Sequence, residues 1–259
     1  MRTSQAEQPR SFASASVPKR LGNGEWELTA GPDWAQGRTL FGGLVGAAVA
    51  EAMTDLVPTD LSLRTLSISF AGPISPGSAQ INTHLDKTGT ATAFAGATVT
   101  QDGSIRTRAQ AVFARTREST IEVLPPTPEI DTSFDESPVM PYLEGIVPVC
   151  MQHFEIRWGL GDFPFTGSSR GTLGGYCRHQ EPASGVGAVL GLLDCWPPAV
   201  LPMWARLTLE KYSSLLVKFP LIRWFSNSLA MSVVRTAGAV FFGTLAGYSF
   251  AKLKFWGSN

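Results

Sequence analysis

Leu40-Phe41-Gly42-Gly43-Leu44-Val45-Gly46-Ala47-Ala48-Val49-Ala50-Glu51-Ala52-Met53 carries a single charged residue, Glu51, and is otherwise small or apolar. A helix with no solvent face must be buried on most sides, and its small residues let other backbones approach closely. Downstream the period changes from helical to alternating. Thr65-Leu66-Ser67-Ile68-Ser69-Phe70 alternates polar with apolar, as a half-buried strand does. Ala91 to Gly103 runs as a second strand into Asp102-Gly103, a pair that favours the φ > 0 conformations of a hairpin turn. With further turns near Pro76-Gly77 and Thr88-Gly89, the stretch from Leu61 to Arg115 predicts three or four long antiparallel strands. These would wrap the helix.

The same order recurs in the second half. Phe154 to Trp158 and Leu173 to Arg178 are expected as strands, and Val186 to Trp196 as a second apolar helix, stopped by Pro197-Pro198. Ser213 to Phe219 and Gly247 to Asn259 then correspond to the Thr65 and Ala91 strands of the first half. The first copy continues into Ser104 to Arg115, whereas the sequence stops at Asn259, so the last strand of the second copy is expected to be missing. The fold class is therefore α+β, a double hotdog: two units, each a long antiparallel sheet around a central helix. The expected division is a disordered polar leader over 1–20, an N-terminal hotdog over 21–117, a Pro-rich linker over 118–147, and a C-terminal hotdog over 148–259. Leu229 to Phe250 is apolar, but Arg235 lies within it and Gly238, Gly243 and Gly247 interrupt it. It is expected as buried strands joined by a turn and not as a membrane span.

Charge and cysteine content exclude several classes. Acidic and basic residues balance at 21 each without a basic run, so no electrostatic footprint for nucleic acid is present. Cys150, Cys177 and Cys195 are widely spaced, giving neither a disulfide framework nor a zinc pattern, and a reducing cytoplasm fits this usage. His84, His153 and His179 lack metal-ligand spacing, so no metal site is expected. No glycine-rich phosphate loop follows a strand, and no cofactor is expected.

Gly37-Arg38-Thr39-Leu40-Phe41-Gly42-Gly43-Leu44, the strand through Phe70-Ala71-Gly72-Pro73, and Leu192-Leu193-Asp194-Cys195-Trp196-Pro197-Pro198 together resemble the type II acyl-CoA thioesterases. That resemblance implies hydrolysis of a fatty acyl-CoA by an activated water, held by an Asp of the second helix, a hydroxyl of a following strand and a Gln of the last strand. Asp194 matches the Asp. It is the only carboxylate in the apolar stretch Val186 to Trp196, where burial without a partner is costly. It serves either as general base or as a local cap bonded to the backbone before Pro197. Ser213 or Ser214 falls where the hydroxyl belongs, although an ungapped match would put Tyr212 there. The Gln would lie beyond Asn259. Phe41, Gly42 and Gly43 are expected at the substrate, where free N–H groups at a helix start can polarise a carbonyl; the glycines equally suit close packing. Cys195 is expected in the core, because a neighbouring carboxylate raises a thiol's pKa. Trp34, Trp158, Trp196, Phe163 and Phe165 suit either acyl-chain walls or core. A catalytically impaired acyl-CoA or acyl-chain binding protein is the alternative, and an unpaired strand edge would favour a homodimer or higher homo-oligomer.

Overall fold

The computed structural model describes residues 11–121, 123–124, 128–204 and 221–252. By contact the chain divides into two compact units, Met1–Trp204 and Ala205–Asn259.

The first unit is organised around helix α2 (Gly42–Thr54), which follows a short helix α1 (Phe12–Ala15). Ten of the thirteen residues of α2 are buried, as a segment without a polar face requires. Strands β1 (Lys19–Gly22), β2 (Glu25–Ala30), β5 (Ser62–Phe70), β6 (Gly77–Thr88), β7 (Thr92–Gln101) and β8 (Ser104–Ala114) form one antiparallel sheet in the order β1-β2-β6-β7-β8-β5. Two-residue strands β3 (Ala35–Gln36) and β4 (Thr39–Leu40) pair just before α2. The strand period places Ala93, Ala95, Ala97 and Val99 of β7 and Ala109, Ala111 and Phe113 of β8 in the core. These mostly short side chains let the sheet close on α2, which touches β2, β5, β6, β7 and β8.

The turn between β7 and β8 forms as expected, with φ of 53° at Asp102 and 71° at Gly103. Gly103→Ala is expected to cost about 1–2 kcal/mol, since a Cβ is strained in this left-handed conformation. A thermal melt checks this, and an unchanged midpoint would mean the turn relaxes at no cost.

Within the same unit, β9 (Phe154–Gly161) and β10 (Leu173–His179) pair antiparallel, and α3 (Gly185–Asp194) follows. Helices α2 and α3 pack on each other. The Pro-rich stretch before β9 is fastened to this sheet by Arg157. Its Nη1 donates to the carbonyls of Phe134 and Asp135, both at 3.1 Å, and its guanidinium sits 4.5 Å over the Phe134 ring.

Two expectations are corrected. Residues 11–20 are not a disordered leader: Phe12 is buried, with its ring 5.6 Å from Trp34 and 6.3 Å from Phe154, and Lys19 to Gly22 pair with β2. One aromatic anchor outweighs a polar composition, because burying a Phe side chain is worth about 1.5–3 kcal/mol. In the second unit, the strands expected over Leu229 to Phe250 and over the described start, Gly247 to Lys252, of the Gly247 to Asn259 strand are not formed. Leu221–Lys252 is one helix, α4, with Leu229, Met231, Val233, Val234 and Val240 more than half exposed. Each glycine within it costs a helix only about 1 kcal/mol, against strong helix formers such as Ala230, Met231, Ala237 and Ala239. Among the described residues no helix is long and apolar enough to cross a membrane. The strand expected over Ser213 to Phe219 lies outside the described residues.

Candidate active site

Helices α2 and α3 approach so closely that side chains are excluded from the crossing. A Cβ on Gly43 would lie 3.0 Å from the Gly191 Cα, and 2.7 and 2.8 Å from the Phe41 ring. This approach brings the start of α2 to the end of α3. There the Gly43 N–H donates to Asp194 Oδ2 at 2.7 Å, joining residues 151 positions apart. The first N–H groups of a helix have no partner within it, and its N-terminus carries partial positive charge, so a carboxylate is a favourable acceptor there. Asp194 is the last residue of α3 and keeps one side toward solvent. Partial burial holds its carboxyl above the ordinary aspartate range, and the Gly43 hydrogen bond opposes that shift only in part.

Gly42 also belongs to this site. A Cβ there would stand 2.8 Å from Asp194 Oδ2 and 3.3 Å from Phe70 Cζ. Among the described residues no acceptor meets the Gly42 N–H, and Phe70, 54% exposed, stands beside it as an apolar wall. A carboxylate, a backbone donor and an apolar flank thus share one helix start. Such a group can hold a water against a carbonyl carbon while the donor polarises the carbonyl oxygen. Gly43→Ala is expected to destabilise the fold by about 1–3 kcal/mol, because the added methyl has no room between the Phe41 ring and Gly191. Chemical denaturation measures this, and wild-type stability would show that the helices can part.

The remaining expected residues fall in different places. Phe41 is fully buried, 5.4 Å from Phe154 and 6.4 Å from Trp34 between ring centroids, so it supports the helix start from beneath. Ser213, Ser214 and Tyr212 lie outside the described residues. Trp34 is fully buried and stacks on His153 at 3.8 Å. Trp158 stacks on Phe163 at 4.9 Å and leans on Trp196 at 6.0 Å, while Phe165 faces Trp204. His84 pairs with Asp86 on the exposed face of β6. His179 Nε2 is 3.0 Å from the Ala188 carbonyl oxygen. Among the described residues no group of His, Cys, Asp and Glu could hold a metal ion. Sequence reasoning did not single out Gly191. A lone glycine inside an apolar helix is nonetheless a signal of close packing.

Comparison with known proteins bears on this arrangement. Residues 30–114 match the family model described as the acyl-CoA thioesterase N-terminal domain. No curated protein matches the sequence significantly. Among solved structures, the chain is similar to a conserved protein of unknown function with a hotdog fold from Alicyclobacillus acidocaldarius, at 21% identity over 76% of this chain and 74% of that one, with a TM-score of 0.67. It is also similar to a protein named as a thioesterase II from Thermobifida fusca YX, at 19% identity over 73% and 74%, TM-score 0.64. A third likeness is to the acyl-CoA thioesterase II TesB2 of Mycobacterium marinum, at 14% identity over 71% and 68%, TM-score 0.52. At these identities the structures show the fold, an α+β hotdog arrangement, as expected. The matched model, over residues 30–114, is of the family that the sequence resembles.

Proposed function

We propose that this thioesterase-like hotdog chain hydrolyses a fatty acyl-CoA to the free acid and CoA through a water activated by Asp194. The observation that carries the reading is the Asp194 carboxylate held against the N-terminus of α2 by the Gly43 N–H at 2.7 Å. With the thioester carbonyl oxygen toward the Gly42 N–H, a water on the second Asp194 oxygen faces the carbonyl carbon. Asp194 takes a proton as the water oxygen bonds to that carbon, and the negative charge developing on the carbonyl oxygen meets the positive end of α2. The C–S bond then breaks, and the proton returns from Asp194 to the departing CoA sulfur. No group of the enzyme is consumed. By the resemblance, Ser213 or Ser214, outside the described residues, is proposed to assist Asp194.

Release of free CoA thiol from short, medium and long acyl-CoAs tests the reading, and Ser213→Ala and Ser214→Ala separate the two hydroxyls. Turnover on any chain length supports it. Acyl-CoA binding without turnover on every length would instead favour the acyl-binding alternative.

The raised Asp194 pKa sets the expected pH dependence. Only the carboxylate can accept a proton, so activity is lost as pH falls through the folded-state value. The half-loss of kcat/KM is expected above the ordinary aspartate value of about 4. A profile flat down to that value would remove Asp194 from the base role.

A further inference from the structure

Two of the three cysteines, separated by 17 residues of sequence, meet beside Asp194. Cys177 lies on β10 and Cys195 is the first residue past α3. Both thiols point at one acceptor, the Leu192 carbonyl oxygen, at 3.8 Å from Cys177 Sγ and 3.1 Å from Cys195 Sγ. Cys195 is buried, while Cys177 is partly open to solvent. This is the asymmetry of an attacking and a resolving thiol, one reachable and one sheltered behind it. Cys150 is buried elsewhere in the core, with its pKa pushed up to about 12 by burial, and is inert by comparison.

We propose that Cys177 and Cys195 are a redox pair that closes to a disulfide when the protein meets a hydroperoxide. The Cys177 thiolate attacks the peroxide oxygen, the O–O bond breaks, Cys177 becomes a sulfenic acid, and the departing oxygen takes a proton from solvent to leave as an alcohol or as water. The Cys195 sulfur then attacks the Cys177 sulfur. The S–O bond breaks, the sulfenic hydroxyl leaves as water with the Cys195 proton, and the two thiols have together lost two electrons to the peroxide. The first step is favoured because the neighbouring Cys195 thiol, and after it Trp196, hold the Cys177 thiol down at about 7 against burial. The consequence for catalysis rests on the functional reading above. Cys195 adjoins Asp194, and drawing Cys195 into a bond of about 2.05 Å shifts the end of α3 on which the Asp194 hydrogen bond to Gly43 depends. Hydrolysis should fall, and a dithiol reductant should restore it.

The test treats the full chain with hydrogen peroxide, alkylates the remaining thiols and maps the peptides by mass spectrometry. The expected result is one alkylated cysteine, Cys150, with the Cys177 and Cys195 peptides cross-linked until reduced. Cys195→Ser, or Cys195→Ala should the hydroxyl prevent folding, should leave Cys177 as a sulfenic acid trapped by a carbon nucleophile; Cys177→Ser should leave Cys195 reduced. Three alkylated cysteines after peroxide, or Cys177 carried to a sulfinic acid with Cys195 still alkylated, would overturn the pair. Acyl-CoA hydrolysis is followed in parallel. A disulfide that forms without slowing turnover overturns the coupling to Asp194. Absence of turnover in the reduced protein counts against the thioesterase reading, and the thiol mapping still decides the pair.

Discussion

Asp194→Asn is expected to lower kcat/KM for acyl-CoA hydrolysis by about 10²–10⁴-fold, the usual contribution of a positioned general base. Asn keeps an oxygen that can accept the Gly43 N–H, so the packing of α2 on α3 survives while the proton acceptor is lost. The same substitution is expected to leave the melting temperature at pH 7 at or above that of the wild type. Asp194 has its folded pKa raised, chiefly by burial. Its contribution to stability is therefore fully present below the unfolded pKa and is lost as pH rises through the folded value. At pH 7 the wild type bears the cost of a partly desolvated charge that Asn does not, and the difference in melting temperature should shrink on acidification. Wild-type turnover in the variant would sink the mechanism. A large loss of stability at pH 7 would mean instead that Asp194 serves mainly to hold α3 to α2.

Trp34→Ala is expected to destabilise the protein by about 3–5 kcal/mol, the range for emptying a buried aromatic site. Total stability of a domain is only about 5–15 kcal/mol, so much of the purified variant should be unfolded or aggregated. Trp34 is fully buried and meets four rings from three parts of the chain: it stacks on His153 at 3.8 Å, meets Phe12 and Phe154 edge-on at 5.6 and 6.2 Å, and lies along Phe41 at 6.4 Å. Emptying the site removes the floor under the start of α2 and the dock of the N-terminal segment together. Urea unfolding measures the loss, and Trp34→Phe, which keeps an aromatic ring, should recover much of it. A melt near that of the wild type would mean the neighbours collapse into the gap. Burial in this stack also lowers the pKa of His153, against the opposing charge of Asp33. That contribution is present above the unfolded histidine value of about 6.5 and is lost as pH falls through the lowered folded value.

For α2 and for β5 to β8, where the chain interacts with itself over a few residues, the sequence was sufficient. The apolar run of α2 has no face to offer water, the alternation over β5 to β8 has one buried side, and Asp102-Gly103 favours a hairpin; each statement involves neighbours at most a turn apart. Asp194 could be picked out alone as a carboxylate stranded among apolar residues. Its partner could not, because the Gly43 hydrogen bond spans 151 positions and exists only because Gly43 and Gly191 let two helix backbones nearly touch. The Cys177 and Cys195 thiols likewise meet because a strand and a helix end converge on the Leu192 carbonyl, a contact no spacing rule contains. Phe12 and α4 show the two ways local reading fails. A polar segment is ordered by one aromatic that finds a distant core, and a glycine-spaced apolar segment forms a helix because the loss at each glycine is small beside the sum of its neighbours. Periodicity and composition decided the elements of this protein, whereas its candidate site was decided by close packing between them, which depends on shape at a distance in sequence.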